Sequence, residues 1–555
     1  MRRMTNTTSA FSDQHGERTP SALDQACDAY VRDIAALLPT AATAFGIAGY
    51  DDKLEDHSPE LNDKLAERTR QLHQLAQRTL DNGTAQDHVD EVTARVLVDR
   101  LGVELQSHEL NEDLANLNNI ASPLQGVRDT LSLMPQETQE QKDNIRARMG
   151  LIPQAMAGYR ESLALGAERG VVAAARQVKE VARQAEQLAT GEILGSFGVP
   201  ADAAEVTAAK QAFGELSRWL TEELLPKAPE ADGVGRERYE VASHNYVGAR
   251  VDLDEAYEWG AERLREIAAE QEQIAMDLYG TRDVAEAFRR LDEEPKYTIN
   301  GTDNLREWMQ STADGAVADM AGEHFEIPAV MRTIEACIDP AGSGGIFYTA
   351  PSDDFSRPGR MWWSVPEGQT QFHTWQELTT VFHEGVPGHH LQIGAAMCNP
   401  DLNMWRRLAC WNSGHGEGWA LYAENLMAEL GYHDDPANRM GMLDAQRLRA
   451  ARILIDIGTH LGKKNPDGGQ WTWEYAQEFF ASHVAMAPEN RQFELMRYFG
   501  WPGQAPSYAL GQRLWQQLRD DAKAKGMSLK QFHAAALPLG SIPMDILRDE
   551  VLAQA

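Results

Sequence analysis

Apolar positions recur at helical spacing along nearly the whole chain. Runs at 22–38, 63–80, 86–107, 137–149, 166–190, 203–223, 253–278 and 304–320 place their apolar residues on one face of a helix. So do those at 374–386, 417–430, 437–460, 472–485, 488–499 and 507–525. Many follow Asp, Ser or Thr and stop near Gly or Pro, as helix caps require. The pattern changes at 345–365, where two β-prone runs flank a Pro/Gly/Asp turn and predict a hairpin. Pro-rich punctuation falls at 226–234 and 339–366, and no repeat of fixed period is present. The expected fold is mostly α: a large, two-lobed helical body with a central cleft and a small β-hairpin or sheet beside one helix. A tail at 1–20 is expected to be disordered, followed by an N-terminal helical lobe at 21–325 and a C-terminal lobe at 326–555. The two lobes are alternatively one interleaved fold.

Residues 381–392 change the picture from architecture to chemistry. They read Val-Phe-His383-Glu384-Gly-Val-Pro387-Gly388-His389-His390-Leu-Gln392. Imidazole and carboxylate packed this closely suggest a metal site with a glutamate as general base. The spacing is H-E-x-x-x-x-H rather than the H-E-x-x-H of zincins. On an ideal helix His383 and His389 lie ~120° apart, while His390 is nearly back on the first face but ~10 Å along the axis. Pro387 removes a backbone donor and clashes with the carbonyl of His383. Gly388 supplies the freedom for a local bulge. A two-residue bulge brings His389 to the position one turn after His383, which makes His389 the expected ligand. His390 is the alternative ligand and otherwise a supporting neighbour behind the metal.

A third ligand is expected from Gly414-His415-Gly416-Glu417-Gly418-Trp419-Ala420-Leu421-Tyr422-Ala423-Glu424-Asn425. Glu417 and Glu424 are seven apart and share a face of an otherwise apolar helix, where carboxylates need cations or donors. Glu417 is assigned to the metal and Glu424 to orienting a ligand histidine. The expected cofactor is one Zn2+ per chain, although the same ligand set also suits iron, manganese or cobalt.

Four segments together resemble the bacterial family of domain-of-unknown-function 885: Glu384–Gln392, Gly416–Tyr422, Asp456-Ile-Gly-Thr-His460 and Pro502-Gly-Gln-Ala-Pro-Ser-Tyr508. That family typically spans a whole chain of this size. It is in turn distantly similar to helical zinc peptidases: the H-E-x-x-H metallocarboxypeptidases, the thimet-type oligopeptidases and the angiotensin-converting enzymes. In that resemblance Gly388-His389 matches the Gly-His that closes the relatives' motif. Glu417 with Glu424-Asn425 matches a Glu-x6-Glu-Asn pattern whose first glutamate binds zinc. The insertion around Pro387 is the departure. The resemblance also implies a late tyrosine that assists the tetrahedral intermediate, and Tyr508, which follows a Pro-Gly turn and opens a helical run, is placed in that role. His460 is a second oxyanion donor on this reading. Arg497 and Tyr498, just before the turn, are substrate-binding candidates, since a guanidinium can clamp a carboxylate. His373 receives no role, and His415 is placed behind the site by its nearness to Glu417.

The expected activity is therefore that of a zinc-dependent peptidase acting on small peptides, with Glu384 moving the proton of the attacking water. Two alternatives stand beside it: a metal-dependent hydrolase of a non-peptide small molecule, and a metal-free helical binding protein. Lys+Arg 52 against Asp+Glu 84 gives a net charge of −32, which argues against nucleic acid and against an anionic membrane surface. Cys27, Cys337, Cys398 and Cys410 fit no zinc-thiolate or disulfide pattern. With no apolar h-region after Met1 and no membrane-length run, a cytoplasmic location is expected.

Overall fold

The computed structural model describes residues 18–339, 345–352 and 355–555. It is mostly helical, with twenty-two α-helices and two small sheets among the described residues. The expected caps form: Ser21, Ser58, Asp87, Thr138, Asp252, Asp283, Thr472 and Ser528 each accept a backbone N–H from the first turn they precede. The run at 166–190 resolves into two helices, Ile152–Glu168 and Ala175–Thr190. Helices at Pro123–Leu133, Arg236–Val247 and Met544–Ala553 go beyond the amphipathic runs. No helix among the described residues is long and apolar enough to cross a membrane.

Of the expected disordered tail, residues 1–17 lie outside the described residues. Arg18 is held by ion pairs to Asp24, Asp87 and Asp90, at 2.6, 2.8 and 2.6 Å. The largest apolar core joins Leu23, Val31 and Leu97 to Trp419, Ile453, Trp515 and Val551, so the stretches before and after residue 325 interleave there. The buried residues of a second core all lie between Leu117 and Leu224, with Leu54 packed against it from earlier in the chain.

The strands are β1 (Thr298–Asn300), β2 (Ile334–Asp339), β3 (Ile346–Thr349), β4 (Gly359–Ser364) and β5 (Gln371–His373). β3 and β4 form the expected antiparallel hairpin, with Ile346 opposite Trp363 and Thr349 opposite Arg360. β2 joins the other side of β4 in parallel, giving the order β2-β4-β3. β1 and β5 pair separately and lead into the helix Thr374–Glu384. The buried residues of the larger sheet, Ile334, Ala336, Met361 and Trp363, pack with Leu305, Met309 and Val381, which fixes the sheet against that helix. Gln310 closes the outer edge of β2: its amide donates to the Ile334 carbonyl at 2.8 Å and accepts from the Ala336 N–H at 2.9 Å. The edge strand on the opposite side is β3.

Candidate metal centre

Two helices replace the single bulged helix suggested by the spacing. The first, Thr374–Glu384, ends on the His-Glu pair, and the second, His389–Met397, starts on the next histidine. Gly385 to Gly388 form the break between them, with the Gly388 N–H donating to the Phe382 carbonyl at 3.0 Å. The indole N–H of Trp419 donates to the Pro387 carbonyl at 2.8 Å and ties the break to the helix Ser413–Glu429. The break therefore does what the bulge was expected to do: the His383 and His389 rings lie 4.9 Å apart with their planes at 89°.

Gly388 is needed for this close turn, because a Cβ there would overlap the His383 and Phe382 carbonyl oxygens. These are backbone atoms and cannot swing aside. Gly388→Ala is expected to cost about 3 kcal/mol of stability in urea unfolding, in the upper range for overpacking. A loss under about 0.5 kcal/mol, the scale of an ordinary surface substitution, would contradict this packing.

Glu417 reaches the two histidines from the helix Ser413–Glu429. The glycines on either side of it have one use each. A Cβ on Gly414 would strike the Val247 carbonyl, one on Gly416 the Trp411 ring, and one on Gly418 the Gly511 backbone. The helix is thus pressed against its neighbours along the turn that carries Glu417. Ser413 Oγ lies 2.7 Å from Ser507 Oγ, at the start of the helix Ser507–Ala524.

His383, His389 and Glu417 offer ligand atoms that all lie within 4.8 Å of one another, the first two residues buried and Glu417 half-buried. Glu417 Oε2 stands 3.4 Å from His383 Nε2 and 3.5 Å from His389 Nε2. Charge-assisted hydrogen bonds are shorter, ~2.7–2.9 Å. Tetrahedral zinc with bonds of ~2.05 Å has ligand atoms ~3.3 Å apart along its edges. The spacing therefore suits a shared cation better than direct hydrogen bonds. His383 Nδ1 donates to Glu424 Oε1 at 2.7 Å, which leaves Nε2 as the ligand atom. Thr379 Oγ1 donates to the other Glu424 oxygen at 2.6 Å. The residues fit a zinc-sized divalent ion.

The electrostatics point the same way. Burial opposes the His383 imidazolium. Hydrogen bonding to Glu417 and Glu424, with the fields of Glu384 and Glu424, outweighs it and pushes the pKa up to about 10. Burial likewise opposes the Glu417 carboxylate, but His383 and His389 hold it well below the usual range. Three carboxylates thus face two imidazoles, and a divalent cation can take the place of the His383 proton. Burial pushes the Glu384 carboxyl above its usual value, although both histidines pull against the shift. Its Oε2 is buried without a hydrogen-bond partner.

Other expected site residues lie elsewhere. His390 turns to the sheet, where its Nε2 donates to the Met331 carbonyl at 2.9 Å and its Nδ1 accepts from the Tyr348 hydroxyl at 2.8 Å. With both nitrogens used it neither binds a metal nor supports the ligands. The expected oxyanion donor His460 is buried against Tyr239, and its Nε2 donates to the Tyr498 carbonyl at 2.8 Å. That proton is already engaged. Tyr498 is fully buried, and its hydroxyl accepts from Arg452 and donates to Glu494. His415 packs on Trp515 and meets Gln392 at 3.3 Å, not the ligands. His373 opens the motif helix, 3.7 Å from Asp292.

Tyr508 is half-buried and lies under two guanidiniums, with Arg452 4.8 Å and Arg497 5.8 Å from its ring centre. Asp456 joins two of the segments noted in the sequence. Its Oδ1 accepts from the Gly503 N–H at 3.0 Å and from the Tyr239 hydroxyl at 2.7 Å, and burial pushes its pKa up to about 7. Thr379, Trp419 and Arg452 escaped the reading of the sequence because each acts through a partner far along the chain.

The family described as "Bacterial protein of unknown function (DUF885)" matches residues 39–551. No curated protein matches. Among solved structures, the chain is similar to one from Colwellia psychrerythraea described as a candidate lipoprotein. The TM-score is 0.79 at 22% identity, covering 96% of this chain and 98% of that one. It is also similar to one from Shewanella oneidensis, described as a candidate lipoprotein of unknown function. There the TM-score is 0.73 at 17% identity, covering 96% and 100%. At these identities the likeness is one of fold.

Proposed function

This chain belongs to the DUF885 family of bacterial proteins of unknown function, and from that premise and the geometry of its buried cluster we propose that it is a zinc-dependent hydrolase, a metallopeptidase that cleaves small peptides. The observation that carries the reading is the pair of contacts from Glu417 Oε2, 3.4 Å and 3.5 Å from two histidine nitrogens, with Glu424 fixing the outer nitrogen of one ring. On this reading the chain is a distant relative of the helical zinc peptidases, with the Pro387 break as its variation on their motif.

His383, His389 and Glu417 would hold the ion, which when bound supplies a Lewis acid that polarises a carbonyl and acidifies water. Glu384 ends the motif helix with a carboxylate oxygen that no protein group occupies. It takes the proton of the attacking water and delivers it to the leaving amine. Its burial raises its proton affinity, which suits a base that must also act as an acid. Tyr508 offers its hydroxyl to the developing oxyanion. Trp411, 45% exposed with its ring 6.3 Å from that of His389, gives an apolar substrate group a surface beside the metal.

The test is a peptide-library digest with zinc-loaded protein, read by mass spectrometry. Cleavage that stops on chelation and returns with zinc supports the reading. A zinc-loaded protein that cleaves no peptide overturns the peptidase assignment, and hydrolysis of non-peptide esters or amides is then the reading to pursue.

A further inference from the structure

Beside the metal centre, the helices Pro436–Leu461 and Pro488–Gly500 bury two arginines against a single contacting carboxylate. Arg452 donates from Nη2 to Glu494 at 2.8 Å and from Nε to the Tyr498 hydroxyl at 2.8 Å. Arg497 donates from Nη1 to the other oxygen of Glu494 at 3.2 Å and from Nη2 to Gln504 at 2.5 Å. Its Nη2 is 3.4 Å from the Tyr508 hydroxyl. Both arginines are over nine-tenths buried, at 6% and 8% exposure. Arg452 Nη1 and Arg497 Nε have no hydrogen-bond partner. The nearby Asp456 accepts from Gly503 and Tyr239 through Oδ1 alone; its Oδ2 makes no hydrogen bond, and burial pushes its carboxyl up to about 7, which makes it a poor counter-charge.

Two guanidiniums on one carboxylate leave an excess positive charge and two unused donors inside the protein. Burying a cation without a counter-charge is costly, and folding alone gives no reason to keep the second arginine. The excess is the more telling in a chain of net charge −32. The cluster lies close to the metal centre: Tyr508 follows Ser507, which is bonded to Ser413, one helical turn (~6 Å of rise) before Glu417.

We propose that Arg452 and Arg497, stacked on the Tyr508 ring, form the binding site for a carboxylate of the substrate, so that the enzyme takes peptides with a free carboxylate end. The orientation of that peptide rests on the hydrolase reading, whereas its capture does not. The carboxylate completes the unpaired guanidinium, and the adjacent bond then lies towards His383, His389 and Glu417. Arg452 is a substrate-binding residue in this account, and Tyr498 and Glu494 are positioning residues that hold its fork.

The test is calorimetric and uses metal-free protein, so that it does not depend on zinc or turnover. The probes are benzoyl-Gly-Phe and its C-terminal amide; the aromatic end suits the exposed Trp411. The free acid is expected to bind about tenfold or more tighter than the amide, the scale of a hydrogen-bonded charge. Arg497→Met and Arg452→Met should each abolish that preference. Each should also unfold in urea no earlier than the parent, since one arginine still neutralises Glu494. Equal binding of acid and amide, no binding of either, a preference that survives both substitutions, or unfolding of both variants would overturn the proposal. Carboxylate selectivity without any zinc-dependent cleavage would sustain this site while the peptidase reading falls.

Discussion

Glu384→Gln is expected to lower peptide turnover by about 10²–10⁴, the usual contribution of a general base, while zinc content stays at the parent level. Glutamine keeps the shape of the side chain and removes only its ability to take a proton. The metal set does not include Glu384, and its unpartnered Oε2 identifies a group kept for something other than packing. The same substitution should stabilise the metal-free protein. Burial raises the Glu384 pKa in the folded state, although the histidines oppose it. A carboxyl whose folded pKa exceeds its unfolded value costs stability once the pH rises above the unfolded value, about 4.5 for glutamate. The gain in the variant should therefore appear above that pH and vanish below it. Lost turnover with gained stability is the signature of a residue retained for chemistry. A variant that keeps full turnover would remove Glu384 from the mechanism.

The second large effect is expected at Glu424, which is 1% exposed and serves both His383 and Thr379. Glu424→Ala leaves the His383 Nδ1 proton and the Thr379 hydroxyl buried without an acceptor. Removing one partner of a buried charged pair costs roughly 3–5 kcal/mol. Zinc affinity should fall about 10–100-fold as His383 loses the hydrogen bond that sets its tautomer and ring plane. Glu424→Gln keeps one acceptor and should retain most of the stability while still weakening zinc. Chelator competition and urea unfolding measure the two effects. Unchanged zinc affinity in the alanine variant would mean that His383 is not a ligand held by Glu424.

What the sequence disclosed followed the range of the interactions. His383, Glu384, His389, Glu417 and Glu424 could be grouped because helical periodicity converts short spacings into shared faces. Pro387 and Gly388 marked an irregularity, but its form depended on where the backbone groups found partners. The Gly388 N–H goes to Phe382, and the Pro387 carbonyl to Trp419, thirty-two residues away. A break between two helices resulted. His390 was misplaced because adjacency to a ligand does not set direction; the Tyr348 hydroxyl and the Met331 carbonyl do. His460 turned out to be engaged for a related reason, since its Nε2 proton goes to the Tyr498 carbonyl, while the Tyr498 hydroxyl is held by Arg452 and Glu494. The hairpin was legible from its β-prone runs, whereas the parallel addition of β2 was not, because nothing local encodes a pairing across more than twenty residues. The mostly helical class was legible throughout, because the apolar spacing is local to each run and many runs carry their own caps.

The central claim is that His383, His389 and Glu417 hold a metal ion, and elemental mass spectrometry of freshly purified protein tests it most directly, with His389→Ala measured alongside. The account predicts about one zinc per chain in the parent and little in the variant. A parent that holds no metal even after incubation with zinc, or a variant that retains it in full, would contradict the account.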